Sequence, residues 1–200
     1  MPLRRLLAAA LAAAPAAAFA QPAAADHAFS VGVLAGGTLP SGELSRAAYD
    51  PGFHVGALAQ YQPASVRWLA VRVDGSYRRL GGGAQDVVDE NGVVVGRLTT
   101  TTSIVSAAAS LVARVPGLRS AVQPYALAGV AAYRLRPHLA SSSGASFVFP
   151  DSPSIRNYGS TFGLGLDAPV GRASAFAEAR YERVGDNLRL VPLSVGVRIR

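Results

Sequence analysis

The sequence has no cysteine and no lysine, one tryptophan and one methionine. Without cysteine there are no disulfides, no thiol nucleophile and no thiolate metal site. Without lysine, all 19 basic residues are arginine. Together with the abundance of alanine and glycine this reflects a GC-rich coding bias, so arginine usage alone is not a functional signal. Charge is scarce at 16% of residues, whereas half of the chain is hydrophobic. Beyond residue 20, no segment offers the roughly 18 uninterrupted apolar residues of a membrane helix. The net charge is +7, but the arginines are scattered about one to a strand or loop. Nucleic-acid binding calls for basic residues clustered beside aromatic platforms, so it is excluded here.

What the sequence does contain is alternation. Near the end, Ala175, Ala177, Ala179 and Tyr181 fall on one side of a strand, and Glu178, Arg180 and Glu182 on the other. After Gly185-Asp186-Asn187, a turn-forming cluster, Leu193, Val195, Val197 and Ile199 alternate with Ser194, Gly196, Arg198 and Arg200. This predicts a hairpin with one apolar and one charged face. A soluble protein turns the apolar face inward. A membrane barrel turns it to lipid and keeps the charges inside.

The same period recurs upstream. Residues 1–20 carry Arg4 and Arg5, an Ala/Leu run and Ala18-Phe19-Ala20, the layout of a cleaved secretory signal peptide; the alternative is a short helix that stays attached. Residues 21–26 form a small-residue spacer, and residues 27–200 are expected to form one domain. Strands are predicted at about 27–36, 52–61, 66–79, 99–114, 122–135 and 157–168, followed by the closing hairpin. Arg67 and Trp68 break the parity of the third strand, which predicts either a bulge or a place in the membrane interface. The fourth strand alternates weakly, because Ile104, Ala108 and Val112 dilute the face of Val105, Ala107, Ala109, Leu111 and Ala113. Eight strands of bilayer-crossing length are joined by connections that run long, short, long, short, long, short, moderate. The fold class is therefore all-β: an eight-stranded, antiparallel, up-and-down transmembrane β-barrel. Its outer connections are predicted at 37–51, 80–98 (with a small hairpin tipped by Asn91-Gly92), 136–156 and 184–189.

Three segments then carry a family likeness. Pro124-Tyr125 followed by Gly129, Glu178-Ala179-Arg180-Tyr181, and Pro192-Leu193-Ser194-Val195-Gly196-Val197-Arg198 resemble strands of the small OmpA/OmpX-like outer-membrane barrels. The resemblance is strong over residues 122–200 and architectural elsewhere. It implies residence in the outer membrane of a Gram-negative-type (diderm) bacterium, contact with outer-membrane lipid and lipopolysaccharide, and handling by the outer-membrane insertion machinery. Chains of this family usually end on an aromatic residue, whereas Ile199-Arg200 stands here.

The faces assign the candidate site residues. Arg72, Asp74, Glu178, Arg180, Glu182 and Arg198 are expected in the lumen, where they either pair and plug the barrel or form a gated pore or a proton-linked site. Val71, Val73, Tyr125, Leu127, Phe162, Leu164, Tyr181, Leu193, Val195 and Val197 are expected to face lipid. Chemistry is thinly represented. His54 and His138 have serines nearby, but no acid is placed beside either, so the expectation is no enzyme. Asp86, Asp89 and Glu90 lack the ligand spacing of a calcium loop, and Gly37 to Glu43 lacks the Lys and Ser/Thr of a phosphate loop, so neither a metal nor another cofactor is expected. The functional reading is a plugged scaffold that displays outer loops. The alternatives are a narrow channel, a membrane or periplasmic barrel that binds an apolar ligand and, further off, a lipid A-modifying enzyme.

Overall fold

A computed structural model describes residues 29–88, 93–115, 121–141 and 154–199. The expected signal and spacer segments (1–26), the expected hairpin tip at Asn91-Gly92, most of the short turn expected at 115–121, residues 142–153 and Arg200 lie outside the described residues. Eight strands, β1 (Phe29–Ser41), β2 (Asp50–Tyr61), β3 (Leu69–Val88), β4 (Val94–Arg114), β5 (Gln123–Ser141), β6 (Ile155–Val170), β7 (Ala173–Val184) and β8 (Leu188–Ile199), close into one barrel. Every neighbour is antiparallel, and β1 returns to β8 over eleven register pairs, from Val31↔Ile199 to Ser41↔Arg189. Closure leaves no free sheet edge, so the ladder's backbone groups are satisfied within the sheet.

The strands outrun the expected boundaries mainly at one end. β3 and β4 continue pairing to Val88↔Val94, with register shifts at Gly81/Ala84 and Val87/Val88. Much of the predicted long connection 80–98 is therefore a ladder that rises beyond the barrel wall, and β5 likewise runs six residues past its predicted end at 135, to Ser141. Arg67 and Trp68 break parity because β3 begins only at Leu69; both are exposed in the preceding turn, where the Trp68 carbonyl accepts the Arg114 N–H at 2.8 Å. No bulge is needed there.

One short helix, α1 (Glu43–Ala48), lies in the first outer connection. The chain enters it through Gly42 at φ 81°, a left-handed conformation that favours glycine. Ser45, 2% exposed, accepts the Arg189 N–H at 3.0 Å and donates to the Asn187 carbonyl at 3.3 Å, which fastens α1 to the β7–β8 turn.

The burial pattern fixes inside and outside. On β7 it alternates without a break: Ala175, Ala177, Ala179 and Tyr181 are exposed, and Phe176, Glu178, Arg180 and Glu182 buried. Outward positions include Val33, Val73, Val130, Phe162, Leu164 and Val195, all at least half exposed. An apolar wall around a polar interior inverts the soluble arrangement and is the transmembrane one. Aromatic residues mark both rims of the wall, with Phe53, Tyr77, Tyr158 and Tyr181 toward the long connections and Phe29, Tyr61 and Trp68 toward the short turns.

Candidate functional site

The lumen is stacked in layers. Nearest the long connections, Leu80, Ile104, Leu135, Val184, Leu188 and Leu190 form an apolar cluster, with Tyr49 packed against it. Near the short turns, Ala70, Val112, Tyr125 and Leu127 form a second one. Between them lies the charge. Arg72, Arg78, Arg180 and Arg198 are buried with Asp74, Asp167, Glu178 and Glu182, four cations against four anions. A buried charge is costly unless it is paired and hydrogen-bonded, and these are paired.

Glu178 is the hub. Its Oε2 accepts from Arg72 Nη1 at 2.6 Å and from the Tyr125 hydroxyl at 2.7 Å, and its Oε1 from Arg180 Nε. Arg180 Nη1 reaches both Asp74 oxygens, at 3.1 and 3.0 Å. The Gln60 amide oxygen takes Arg72 Nε and Nη2 at 3.2 and 3.1 Å and Arg198 Nη1 at 2.6 Å. Arg198 Nη2 then binds Asp167, which Arg114 approaches at 3.7 Å. One network thus ties β2 through β8 together. A second set sits toward the long connections, where Arg78 forms a two-pronged bond to Glu182 at 2.5 and 2.8 Å and Tyr133 donates to Glu182 at 3.1 Å.

Aromatic rings support the guanidinium groups. Arg72 lies over Tyr125 at 5.3 Å and over Phe176 at 5.8 Å, and Arg198 lies over Phe176 at 5.9 Å. Each ring fits because a glycine faces it on the next strand. Tyr125 pairs with Gly165 and Phe176 with Gly196 in the ladder. A Cβ on Gly165 would collide with Tyr125 Cζ, and one on Gly196 would collide with Phe176 Cζ.

All six expected lumen residues, Arg72, Asp74, Glu178, Arg180, Glu182 and Arg198, are buried inside and in contact with partners. Of the ten expected lipid-facing residues, eight are exposed on the outer wall. Tyr125 and Leu127 are not: they are 3% and 4% exposed and point inward. The predicted face of β5 is therefore reversed, with Ala126, Ala128 and Val130 outside. The physical cause is that both faces of β5 are apolar. The larger residues fill the interior, and the Tyr125 hydroxyl finds its partner on Glu178. On β4 the predicted face is correct, and the diluting residues Ile104, Ala108 and Val112 are the inner ones.

Gln60, Arg78, Asp167 and Tyr133, not named among the expected lumen residues, belong to the networks as well: Gln60 stands directly opposite Arg72 on the β2–β3 ladder, whereas Arg78 meets Glu182 across the barrel, a pairing that no single strand displays. His54 is buried and held between two hydroxyls, Thr38 Oγ1 at 2.9 Å from Nδ1 and Ser194 Oγ at 2.8 Å from Nε2. No carboxylate bonds it among the described residues. His138 is exposed. Among the described residues there is no group of three His, Cys, Asp or Glu side chains arranged to hold a metal ion.

A closed antiparallel sheet with an apolar outer wall, two aromatic girdles and a charge-paired interior defines a protein that crosses a bilayer by its strands. The family model of the outer membrane protein beta-barrel domain matches residues 6–192, and the chain belongs to that family. Its location is the outer membrane of a Gram-negative-type bacterium. No curated protein matches the sequence. Among solved structures, neisserial surface protein A is similar at 23% identity, over 86% of this chain and 97% of that one, with a TM-score of 0.61. A major outer membrane protein from Thermus thermophilus is similar at 14% identity, over 86% and 99%, with a TM-score of 0.50. Both likenesses are of fold.

Proposed function

We propose that the protein is a closed scaffold of the outer membrane, a barrel whose lumen is plugged by its own side chains and whose outer connections do the work of contact. The observation that carries this reading is the balanced set of four buried arginines and four buried acids, enclosed between apolar layers at both ends. A conducting path needs an uninterrupted column of water. Here the guanidinium and carboxylate groups occupy one another's solvation positions, and Leu80, Ile104 and Leu190 close the end nearest the long connections. The same sealing disfavours catalysis at His54, because no substrate reaches it. The proposed partners are outer-membrane lipid and lipopolysaccharide around the wall, and the insertion machinery during assembly. Residues 1–20 would act as the export signal, removed before the barrel forms.

The test is conductance. The purified chain reconstituted in a planar bilayer is expected to give no discrete current steps. Reproducible steps of one unit size, lost when the protein is omitted, would replace the plugged scaffold with a channel.

A further inference from the structure

The lumen accounts for only part of the arginine. Arg79, Arg134, Arg136, Arg156, Arg183 and Arg189 all point outward, exposed, at the end of the barrel that carries the long connections. Their register is unusual for like charges. Arg134 stands directly opposite Arg156 across β5–β6, and Arg183 opposite Arg189 across β7–β8. Arg79 and Arg136 flank Ser103 from its two neighbouring strands. Like charges directly opposed on a sheet are destabilising. Arg183 has a partial answer in Asp186 at 3.7 Å. Arg79, Arg134, Arg136 and Arg156 form no ion pair among the described residues.

The tyrosines fix their depth. On three strands an outward tyrosine lies two residues closer to the middle of the wall than an outward arginine: Tyr77 and Arg79 on β3, Tyr158 and Arg156 on β6, Tyr181 and Arg183 on β7. Outward tyrosines at the edge of a transmembrane wall sit at the boundary between hydrocarbon and headgroups. A step of two residues along a strand is about 7 Å, which puts the arginines level with lipid headgroups. Below the Arg134–Arg156 pair, Val130, Phe162 and Leu164 present the apolar surface that acyl chains cover.

We infer that Arg134, Arg136 and Arg156, with Arg79 across Ser103, form a binding site for the phosphate groups of an outer-leaflet glycolipid headgroup, the acyl chains of the same molecule lying along β5 and β6. Phosphate suits the site because guanidinium forks bind its oxygens in two-pronged fashion, and a headgroup with more than one phosphate answers several neighbouring cations together. Neighbouring strands are about 4.8 Å apart, so arginines on β3, β5 and β6 fall within one headgroup's span. The bound phosphates offset the repulsion that the register builds in. This inference rests on the membrane-embedded reading, with the long connections at the outer leaflet.

The test uses the full chain in phosphatidylcholine nanodiscs doped with phosphorylated lipid A or with its dephosphorylated form. EDTA is present to remove bridging cations, and lipid retained by the protein is quantified by mass spectrometry. Wild type is expected to retain phosphorylated lipid A selectively. The Arg134→Gln/Arg136→Gln/Arg156→Gln variant should lose that selectivity by at least about tenfold, whereas Arg172→Gln, at the opposite end of the barrel, should keep it. Equal retention of the dephosphorylated form, an unchanged triple variant, or displacement of lipid A by inorganic phosphate overturns the proposal. Heat-modifiable gel mobility, measured on every variant, reports the barrel separately. If wild type lacks it, the membrane-embedded reading itself fails, and this one with it.

Discussion

Tyr125 stands directly across the β5–β6 ladder from Gly165, and its ring fills the space where a Gly165 side chain would begin. The ring in turn carries the Arg72 guanidinium at 5.3 Å, and its hydroxyl reaches Glu178. A glycine on one strand thus sets the position of a tyrosine on the next, and through it two members of the buried network.

Replacing Gly165 with alanine should therefore displace the ring and loosen Arg72 and Glu178 together. Overpacking a filled interior costs about 1–3 kcal/mol. Gly75 makes the comparison, since its Cβ would meet only the Ser106 carbonyl oxygen at an ordinary 3.7 Å. Urea unfolding in lipid vesicles, followed by the fluorescence of Trp68, is expected to show a clear loss for Gly165→Ala and none for Gly75→Ala.

The charge network makes a sharper demand. Glu178→Gln keeps the shape but leaves Arg72 without its only carboxylate partner among the described residues, and Arg180 with Asp74 alone. Removing one member of a buried ion pair typically costs about 3–5 kcal/mol. The pair Arg183–Asp186 lies in solvent, so Asp186→Asn should leave stability unchanged. The temperature at which the folded band disappears on gels reads both. Similar behaviour of the two variants would mean that the lumen is wet enough to screen its charges.

The absence of native cysteine allows a direct test of the reversed strand. Ala128→Cys should react with a membrane-soluble maleimide, because Ala128 faces outward on β5, whereas Leu127→Cys should be protected in the folded barrel. Denaturation should make the two sites equally reactive. Labelling of position 127 alone would restore the face expected from sequence.

These residues also mark how far the sequence could be read. The inner and outer faces of β3, β6, β7 and β8 were legible because charged or small polar residues alternate with apolar ones over much of their length. β7, with Glu178, Arg180 and Glu182 against Ala177, Ala179 and Tyr181, leaves no ambiguity. On β5 the contrast vanishes, since Leu127 and Ala128 are both apolar. The size of the residue and the reach of a tyrosine hydroxyl decide the face, and neither belongs to a period-two pattern. The glycines of β6 held the missing signal, because a large ring needs a bare neighbour. The pairing of the lumen was legible in kind but not in detail. That Arg78 meets Glu182, 104 positions along the chain, depends on how the barrel curves. The ends of β3 and β4 were missed for a different reason: their ladder continues past the wall, where no lipid imposes an alternation.

The contact of Ser45 with Asn187 and Arg189 has a consequence for assembly. It joins the first connection of the barrel to its last hairpin, beside the seam where β1 meets β8. Those strands are the farthest apart along the sequence and the pair that turns a curled sheet into a cylinder. In a sheet laid down strand by strand from its N-terminal end, this clasp is made only once the final strand has come home. It is thus a local signature of completed closure, and in a barrel that opens at the seam it is among the first contacts to be released.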